Sequence, residues 1–330
     1  MNFKSIVGHE DIIQHMKSSI EQGKVSHAYI ISGEADSGKK MLARVFAQTL
    51  QCEAGGTEPC CECTSCKQAE SRNHPDIITV THDKEGMISV DEVREQLVGS
   101  MGIKPYKSKY KIYIVPDAEM MNPAAQNALL KTIEEPPEYG VVILLTANIN
   151  KLLETVQSRC VRLTTKPVRE LDMLEYLQKN MGLTEDKAHF CIDFANGNLG
   201  RAIKLATHDE YAQIVESVVT VMKRINDLDV DDLSYAVEHI ESFKLSINDY
   251  LDLMAMWYRD ILMLKVTGKI DKLLFRNEYA ILKKQAETLS YSGVEEKIDA
   301  VMRAKTRLDV NANFDVTMEL LLLTLKENCK

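Results

Sequence analysis

The chain lacks long apolar runs, and this absence limits where it can act. None of its 330 residues belongs to an uninterrupted apolar segment of about 18 residues, the length that a membrane-spanning helix needs. The first residues, MNFKSIVGHEDII, also lack the apolar core of a signal peptide. The sequence therefore predicts a cytoplasmic protein without membrane contacts.

The chain also lacks an excess of positive charge. Its 40 Lys and Arg residues are outnumbered by 49 Asp and Glu residues, which gives a formal net charge of -9. Such a chain does not attract a phosphate backbone as a whole. Contact with nucleic acid must come from partner subunits or from a local patch such as the basic run at 104–111, although such runs are usually solvated loops.

Cysteines are not spread along the chain, as they would be in a disulfide-rich secreted protein. Five of the eight lie between Cys52 and Cys66, which favours metal binding in a reducing compartment. The remaining three are single residues: Cys160, Cys191 and Cys329.

The clustered cysteines have the spacing of a metal site. Cys60, Cys63 and Cys66 follow a C-x-x-C-x-x-C pattern, and Cys52 can return as a fourth thiolate. Four thiolates form a closed tetrahedral zinc site, so a structural role is expected. Cys61 breaks the pattern and is expected to point away. An iron–sulfur cluster is the rival interpretation, but the usual Cys-Pro ending is missing.

Short apolar runs alternate with helical patterns up to about residue 165, which predicts a parallel sheet with helices on both faces. The predicted strands are 28–32, 76–80, 111–115, 141–146 and 160–164. After Pro167 the patterns are helical only. We therefore expect three domains: an α/β domain over 1–166 that holds the cysteine cluster (52–66), a small helical domain over 167–208 and a helical domain over 209–330.

The segment Gly33–Lys39, GEADSGK, lies between a predicted strand and a predicted helix. Glycines at 33 and 38 let backbone N–H groups face phosphate oxygens, and Lys39 could reach the outer phosphates. The alternative is a glycine-rich turn that binds no ligand. The context favours a phosphate-binding loop by ancestry.

Two departures from an active loop argue against ATP hydrolysis. Lys40 stands where a Ser or Thr hydroxyl holds Mg²⁺. Asp117 follows the third predicted strand and could orient a metal ion, but Ala118 stands where a Glu would activate water. Glu119 is expected to be a surface charge. Phosphate binding by Lys39 and the loop amides stays open, and so does binding of ATP or ADP.

A Ser-Arg-Cys motif precedes the last predicted strand. By spacing alone, its Arg159 is a surface residue in solvent or in a weak ion pair. The motif gains meaning only beside the others in the chain.

Together these motifs resemble those of the bacterial clamp-loader subunits of the AAA+ superfamily. In order, they are IVGHEDI, SHAYIISG, the phosphate loop, the cysteine cluster, NHPDI, NALLKTIEEPP, SRC, GNLGRAIKLA, WYRD and NANFDVTMELLLL. The resemblance covers nearly the whole chain. It implies an AAA+ P-loop domain with a zinc knuckle, a helical lid and an all-α collar that joins five subunits.

The resemblance also implies roles for single residues. In this family the Ser-Arg-Cys motif supplies an arginine finger to the ATP of a neighbouring subunit, and here that motif is Ser158 and Arg159. The departures at Lys40 and Ala118 resemble the family's non-hydrolysing stator. A further departure is Gly200, where active members have an Arg; Arg201 is interpreted as a helix surface charge.

The implied partners are the gamma/tau and delta subunits in a hetero-pentamer, and through it the sliding clamp and primed DNA. An active ATPase motor subunit of gamma/tau type is the first alternative. A zinc module that binds nucleic acid is the second, but the acidic net charge and the lack of aromatic residues around 52–66 argue against it.

Overall fold

The computed structural model describes residues 1–81, 87–207, 209–270, 273–310 and 312–327. They form two compact units: Met1–Glu185 with Ala195–Arg201, and Asp186–Phe194 with Ala202–Lys330. The three-part division after residues 166 and 208 stays a prediction; residue 208 and Cys329 lie outside the described residues. Within the described ranges, no helix combines the length and the apolar character that crossing a membrane requires.

The first unit is built on a parallel sheet, as the sequence predicts. The strands that the structure describes are β1 Ala28–Ser32, β2 Ile77–Thr79, β3 Lys111–Val115, β4 Gly140–Thr146 and β5 Val161–Thr164. They lie in the order β2-β3-β4-β1-β5, and all paired neighbours run parallel. Each strand end agrees with the predicted run to within one residue.

Both faces of the sheet are buried at its three central strands, β3, β4 and β1, which explains their continuous apolar runs. Successive side chains of a strand point to opposite faces. In β1, Ile30 packs on one face in a core that includes Leu129, whereas Tyr29 and Ile31 pack on the other in a core that includes Phe46. Every residue of β1 is therefore buried.

The helices that the structure describes up to residue 207 are α1 Glu10–Glu21, α2 Lys39–Leu50, α3 Thr64–Glu70, α4 Val90–Val93, α5 Gly99–Met101, α6 Pro123–Glu134, α7 Glu154–Gln157, α8 Glu170–Met181, α9 Glu185–Ala195 and α10 Leu199–Thr207. Helices α1, α2, α6 and α7 pack on the faces of this sheet, whereas α9 and α10 lie mostly in the second unit. Ser89 and Glu92 form the predicted capping box of α4, and Asn122 caps α6 ahead of Pro123. These caps place the helix starts at the residues that the sequence indicates.

The second unit is helical in the part that the structure describes. Its remaining helices are α11 Asp209–Arg224, α12 Val230–Glu241, α13 Ile247–Thr267, α14 Tyr279–Thr288, α15 Tyr291–Asp309 and α16 Phe314–Lys326. The central helix α13 buries Tyr250, Trp257 and Tyr258. The indole N–H of Trp257 donates to Gln285 Oε1 at 2.7 Å, so this large core residue has its polar group satisfied.

Candidate functional site

The phosphate loop connects β1 to α2 through two glycines with positive φ. Gly33 has φ +155° and Gly38 has φ +86°. A Cβ on residue 33 would lie 1.7 Å from Thr165 Oγ1, so only glycine fits there. The loop therefore has the strand-to-helix context that the sequence predicts, but a side chain of its own chain occupies the space beside its first glycine.

Lys39 is turned back onto the loop. Its side chain is buried, and Nζ donates to the carbonyl oxygen of Gly33 at 2.6 Å and to that of Glu34. Burial lowers the pKa of Lys39, while the nearby carboxylates of Glu119 and Asp117 oppose that change. In this conformation the ammonium group of Lys39 donates its hydrogen bonds to carbonyl oxygens of the loop itself.

Lys40 and Asp117 are brought together, although they are far apart in the sequence. Lys40 Nζ lies 3.4 Å from Asp117 Oδ2, and both side chains are substantially exposed. Ala118, next along the chain, is fully buried and offers no carboxylate. The acidic group that could have oriented a metal ion is thus paired with a cation.

Glu119 differs from the predicted surface charge. The residue is half-buried, and its Oε1 accepts a hydrogen bond from the N–H of Ala147 at 3.0 Å. Its Oε2 is buried without a protein partner. The side chain therefore links the end of β3 to the end of β4, a contact between strands that sequence spacing did not indicate.

Further contacts hold the loop from outside. His9 Nε2 lies 2.9 Å from the carbonyl oxygen of Ser37, and Thr165 Oγ1 lies 3.0 Å from Ser37 Oγ. Asn198, which precedes α10, donates from Nδ2 to the carbonyl oxygen of Ala35 at 2.7 Å. The loop is therefore held by residues from three distant parts of the first unit.

Gly200 also contacts the loop closely. A Cβ at this position would lie 2.2 Å from the carbonyl oxygen of Asp36. An arginine at position 200 could not be accommodated without a shift of the backbone. The close packing of the loop against residue 200 therefore explains why glycine, and not arginine, is found there.

A cavity of about 340 Å³ lies beside His9 in the first unit. It is lined by Gly8, His9, Glu10, Asp11, Ile12, Thr164, Lys166, Pro167, Val168, Arg169 and Asp172. The lining carries charges of both signs, and Lys166 pairs with Asp11 at 2.5 Å. This composition does not select for an anion.

The cysteine cluster assembles as the spacing predicts. The Sγ atoms of Cys52, Cys60, Cys63 and Cys66 all lie within 4.8 Å of one another, close enough to ligate one metal ion. Cys61 is not part of this group; its backbone has φ +62°, and its Sγ lies 3.3 Å from the carbonyl oxygen of Met1.

Backbone N–H groups point at the cluster's sulfur atoms. The N–H of Cys60 donates to Cys52 Sγ at 3.3 Å, that of Cys63 to Cys60 Sγ at 3.4 Å, and that of Cys66 to Cys63 Sγ at 3.3 Å. Such bonds from the N–H groups of Glu62 and Cys63 lower the pKa of Cys60 to about 6. Burial raises the pKa of Cys66, an effect that a bound cation reverses by deprotonating the thiol.

The Ser158–Cys160 motif gives each side chain a different environment. Ser158 Oγ donates to the carbonyl oxygen of Thr155 at the end of α7. Cys160 packs against the apolar core, and burial raises its pKa to about 11. Arg159 lies at the surface, where Nε is 2.7 Å from Glu134 Oε1 and Nη1 donates to Thr155 at 2.8 Å. Ser158 and Arg159 are exposed, and of the two only the arginine carries a charge.

A buried glutamine fixes the segment that carries this motif. Gln126 of α6 donates from Nε2 to the carbonyl oxygens of Met121 and Lys151, at 2.9 and 3.1 Å. Its Oε1 accepts from the N–H of Leu153, at 2.7 Å, just before α7. Sequence reasoning missed this residue; a polar residue on the apolar face of a capped helix is the signal that could have identified it.

Comparison with known proteins assigns the chain to a family. The model of the family "DNA polymerase III, delta subunit" matches residues 8–169. DNA polymerase III subunit delta' of Bacillus subtilis is 30% identical over 321 residues, which are 96% of this chain and 95% of that protein. The chain belongs to the DNA polymerase III delta-subunit family. It is a clamp-loader subunit, in agreement with the resemblance of its motifs.

The similarity extends to other subunits of the same polymerase. DNA polymerase III subunit gamma of Buchnera aphidicola is 27% identical over 345 residues, which are 98% of this chain and 94% of that protein. Among solved structures, a gamma subunit-related protein of Thermotoga maritima is 19% identical, with a TM-score of 0.44 and coverage of 96% and 99% of the two chains. This clamp-loader subunit is thus similar to both delta' and gamma proteins.

Proposed function

We propose that this chain is the stator, the delta-prime subunit, of a bacterial DNA polymerase III clamp loader. It does not hydrolyse ATP at its own loop, and it supplies Arg159 as an arginine finger to the ATP of the adjacent motor subunit. The observation that carries the proposal is the ion pair between Lys40 and Asp117.

This ion pair joins the two positions that would hold Mg²⁺ in an active loop. An active loop holds Mg²⁺ with a hydroxyl and an acidic residue, and the metal ion neutralises charge on the transferring phosphoryl group. Here Lys40 offers no lone pair to a metal ion, and it is 3.4 Å from the carboxylate of Asp117. Ala118 removes the group that would activate water. The chain's own residues can therefore hold a phosphate at most.

Arg159 can act where Lys40 cannot. An arginine that is delivered in trans stabilises the charge of the transition state and is worth about 10³ to 10⁵ in rate. Its present partner is Glu134, and both side chains are more than a third exposed. Such a surface ion pair contributes about 0–1 kcal/mol, so Arg159 can exchange Glu134 for a phosphate at little cost.

The proposed partners are the gamma/tau and delta subunits in a hetero-pentamer that loads the sliding clamp onto primed DNA in the cytoplasm. The second unit offers an apolar stripe for such an assembly. Val316, Leu320 and Leu323 lie one helical turn apart along α16 and are 53%, 47% and 46% exposed. An exposed stripe of this kind is typical of a helix that packs on another subunit.

The cysteine cluster is proposed to hold one structural Zn²⁺. Cys52, Cys60, Cys63 and Cys66 supply four sulfur ligands, and four protein ligands leave no position for a substrate. The ion would add tetrahedral cross-linking between the end of α2 and α3. Elemental analysis of the purified protein should find one zinc and no iron per chain.

The arginine finger is tested by ATP turnover of the reconstituted clamp loader with sliding clamp and primed DNA. Arg159→Ala should suppress turnover at one site while gel filtration shows an intact assembly. Arg162→Ala is the matched control, because Arg162 is also exposed and lies three residues away. Unchanged turnover in Arg159→Ala would remove this residue from the mechanism.

The similarity to gamma proteins keeps an ATPase motor as the second candidate. Its test uses the purified chain alone. Steady ATP hydrolysis that Lys39→Ala abolishes would establish the motor and overturn the stator. We expect no hydrolysis above that of the Lys39→Ala variant.

A further inference from the structure

The loop at 103–110, between α5 and β3, is a basic surface within an acidic chain. No acidic residue occurs from 96 to 116, although the whole chain has a net charge of -9. Within the loop, lysines at 104, 107 and 109 are interspersed with tyrosines at 106 and 110. Positive charge with interleaved aromatic rings is the composition of sites that bind single-stranded nucleic acid.

Hydrogen bonds from buried side chains fix the backbone of this loop. Asp76 is 2% exposed, and its carboxylate accepts hydrogen bonds from the three successive N–H groups of residues 106–108, at 2.6, 3.0 and 3.1 Å. Before these residues, Lys111 Nζ donates to the carbonyl oxygen of Ile103 at 3.1 Å. The backbone conformation is thus set without any partner molecule, which lowers the entropy cost of binding.

The side chains of this loop are displayed on that support. Tyr106 is 86% exposed, the highest exposure among the large hydrophobic residues of the described chain. Lys107 is paired with Glu53 at 2.7 Å. In the part of the chain that the structure describes, Lys104 and Lys109 form no ion pair. Lys109 Nζ lies over the Tyr110 ring, 5.1 Å from its centroid. An exposed ring therefore has two lysines close to it in the sequence, and neither is neutralised by an ion pair within the described residues.

We infer that this loop binds single-stranded nucleic acid, with a base stacked on Tyr106 and phosphates paired with Lys104 and Lys109. Burying an exposed tyrosine ring against a base removes apolar surface from water, and every base has a face for such stacking. A duplex does not fit this chemistry, because its bases are already stacked on one another. An acidic peptide could neutralise the lysines but offers no planar group to the ring.

The inference does not depend on the arginine-finger proposal. The loop and Arg159 are separate in sequence, and binding of a strand is measured without ATP or partner subunits. A failure of one experiment therefore leaves the other unaffected.

The test is fluorescence anisotropy of a labelled oligothymidylate titrated with the full chain at several salt concentrations. Tyr106→Ala should weaken binding by about five- to 150-fold, the range expected for the loss of one stacked base. The plot of log K against log salt has a negative slope, and Lys104→Ala and Lys109→Ala should each make it shallower by about 0.7. Tyr106 is exposed, so its replacement leaves the fold intact.

Tyr235→Ala is the control, because Tyr235 is 72% exposed on α12 but lies beside Asp231 and Asp232. It should bind the strand as the unchanged protein does. No detectable binding at low salt, or equal binding by Tyr106→Ala and the unchanged protein, overturns the inference. Equal affinity for a labelled oligoglutamate, which has no bases, would also overturn it, by showing that the lysines recognise charge alone.

Discussion

The phosphate loop and the Ser158–Cys160 motif differ in how they use their cationic side chains. Lys39 is buried against carbonyl groups of its own loop, and Lys40 is paired with Asp117. Arg159, in contrast to Lys39, lies in an exposed ion pair, with Glu134, and the Lys40–Asp117 pair is exposed as well. A buried ammonium that loses its acceptors is costly, whereas an exposed ion pair is exchanged almost freely. Lys39 is therefore committed to its own loop, whereas Arg159 is free to exchange its partner, as the proposed arginine finger requires.

Both regions belong to the first unit. If the cysteine cluster holds the proposed zinc ion, removal of that ion is the change with the largest expected effect on both. Cys52 directly follows α2, whose first residues are Lys39 and Lys40. Structural zinc sites contribute folding free energy outright. We expect Cys66→Ser to lower the free energy of unfolding by at least about 4 kcal/mol, measured by urea unfolding of the zinc-loaded protein.

Cys61→Ser is the control for this prediction, since Cys61 is outside the four-sulfur group. It should change the free energy of unfolding by less than about 0.5 kcal/mol. Equal stability of the Cys66→Ser variant and the unchanged protein would mean that the cluster holds no structural metal ion.

A substitution at Gly33 sharpens the loop side of the comparison. A Cβ there would lie 1.7 Å from Thr165 Oγ1, whereas at Gly23, which also has positive φ, no atom lies within 4 Å. Gly33→Ala should therefore be less stable than Gly23→Ala by about 1–3 kcal/mol in urea unfolding, the usual cost of overpacking. Thr165→Ala in the Gly33→Ala background should recover part of that loss. An equal loss of stability in the two glycine variants would show that Thr165 does not restrict the space beside residue 33.

Much of this arrangement was predictable from the sequence. Continuous apolar runs placed each strand that the structure describes to within one residue, because strands that are covered on both faces need such runs. The cap at Asn122 and the cluster of four cysteines were also predictable, because each signal is local and its chemistry is specific.

The partners of the site residues were not predictable. The sequence indicated that Lys40 cannot hold a metal ion, but not that it pairs with Asp117, because that contact depends on how two strands are placed in the sheet. For Glu119 the prediction failed for the same reason, since its acceptor role toward Ala147 joins neighbouring strands. The close approach of Gly200 to the loop likewise follows from tertiary packing.

The smallest expected effect concerns the ion pair between Arg159 and Glu134. Glu134→Gln removes the charge that holds Arg159 at 2.7 Å but should leave the free energy of unfolding unchanged within about 0.5 kcal/mol, because both side chains are exposed. If Glu134 is only a resting partner, ATP turnover of the reconstituted clamp loader should not fall. Glu135→Gln is the matched control, since Glu135 is the adjacent exposed glutamate. A fall in turnover as large as that of Arg159→Ala would mean that Glu134 positions the arginine for its task. The exposed pair would then be part of the mechanism rather than a contact exchanged on binding.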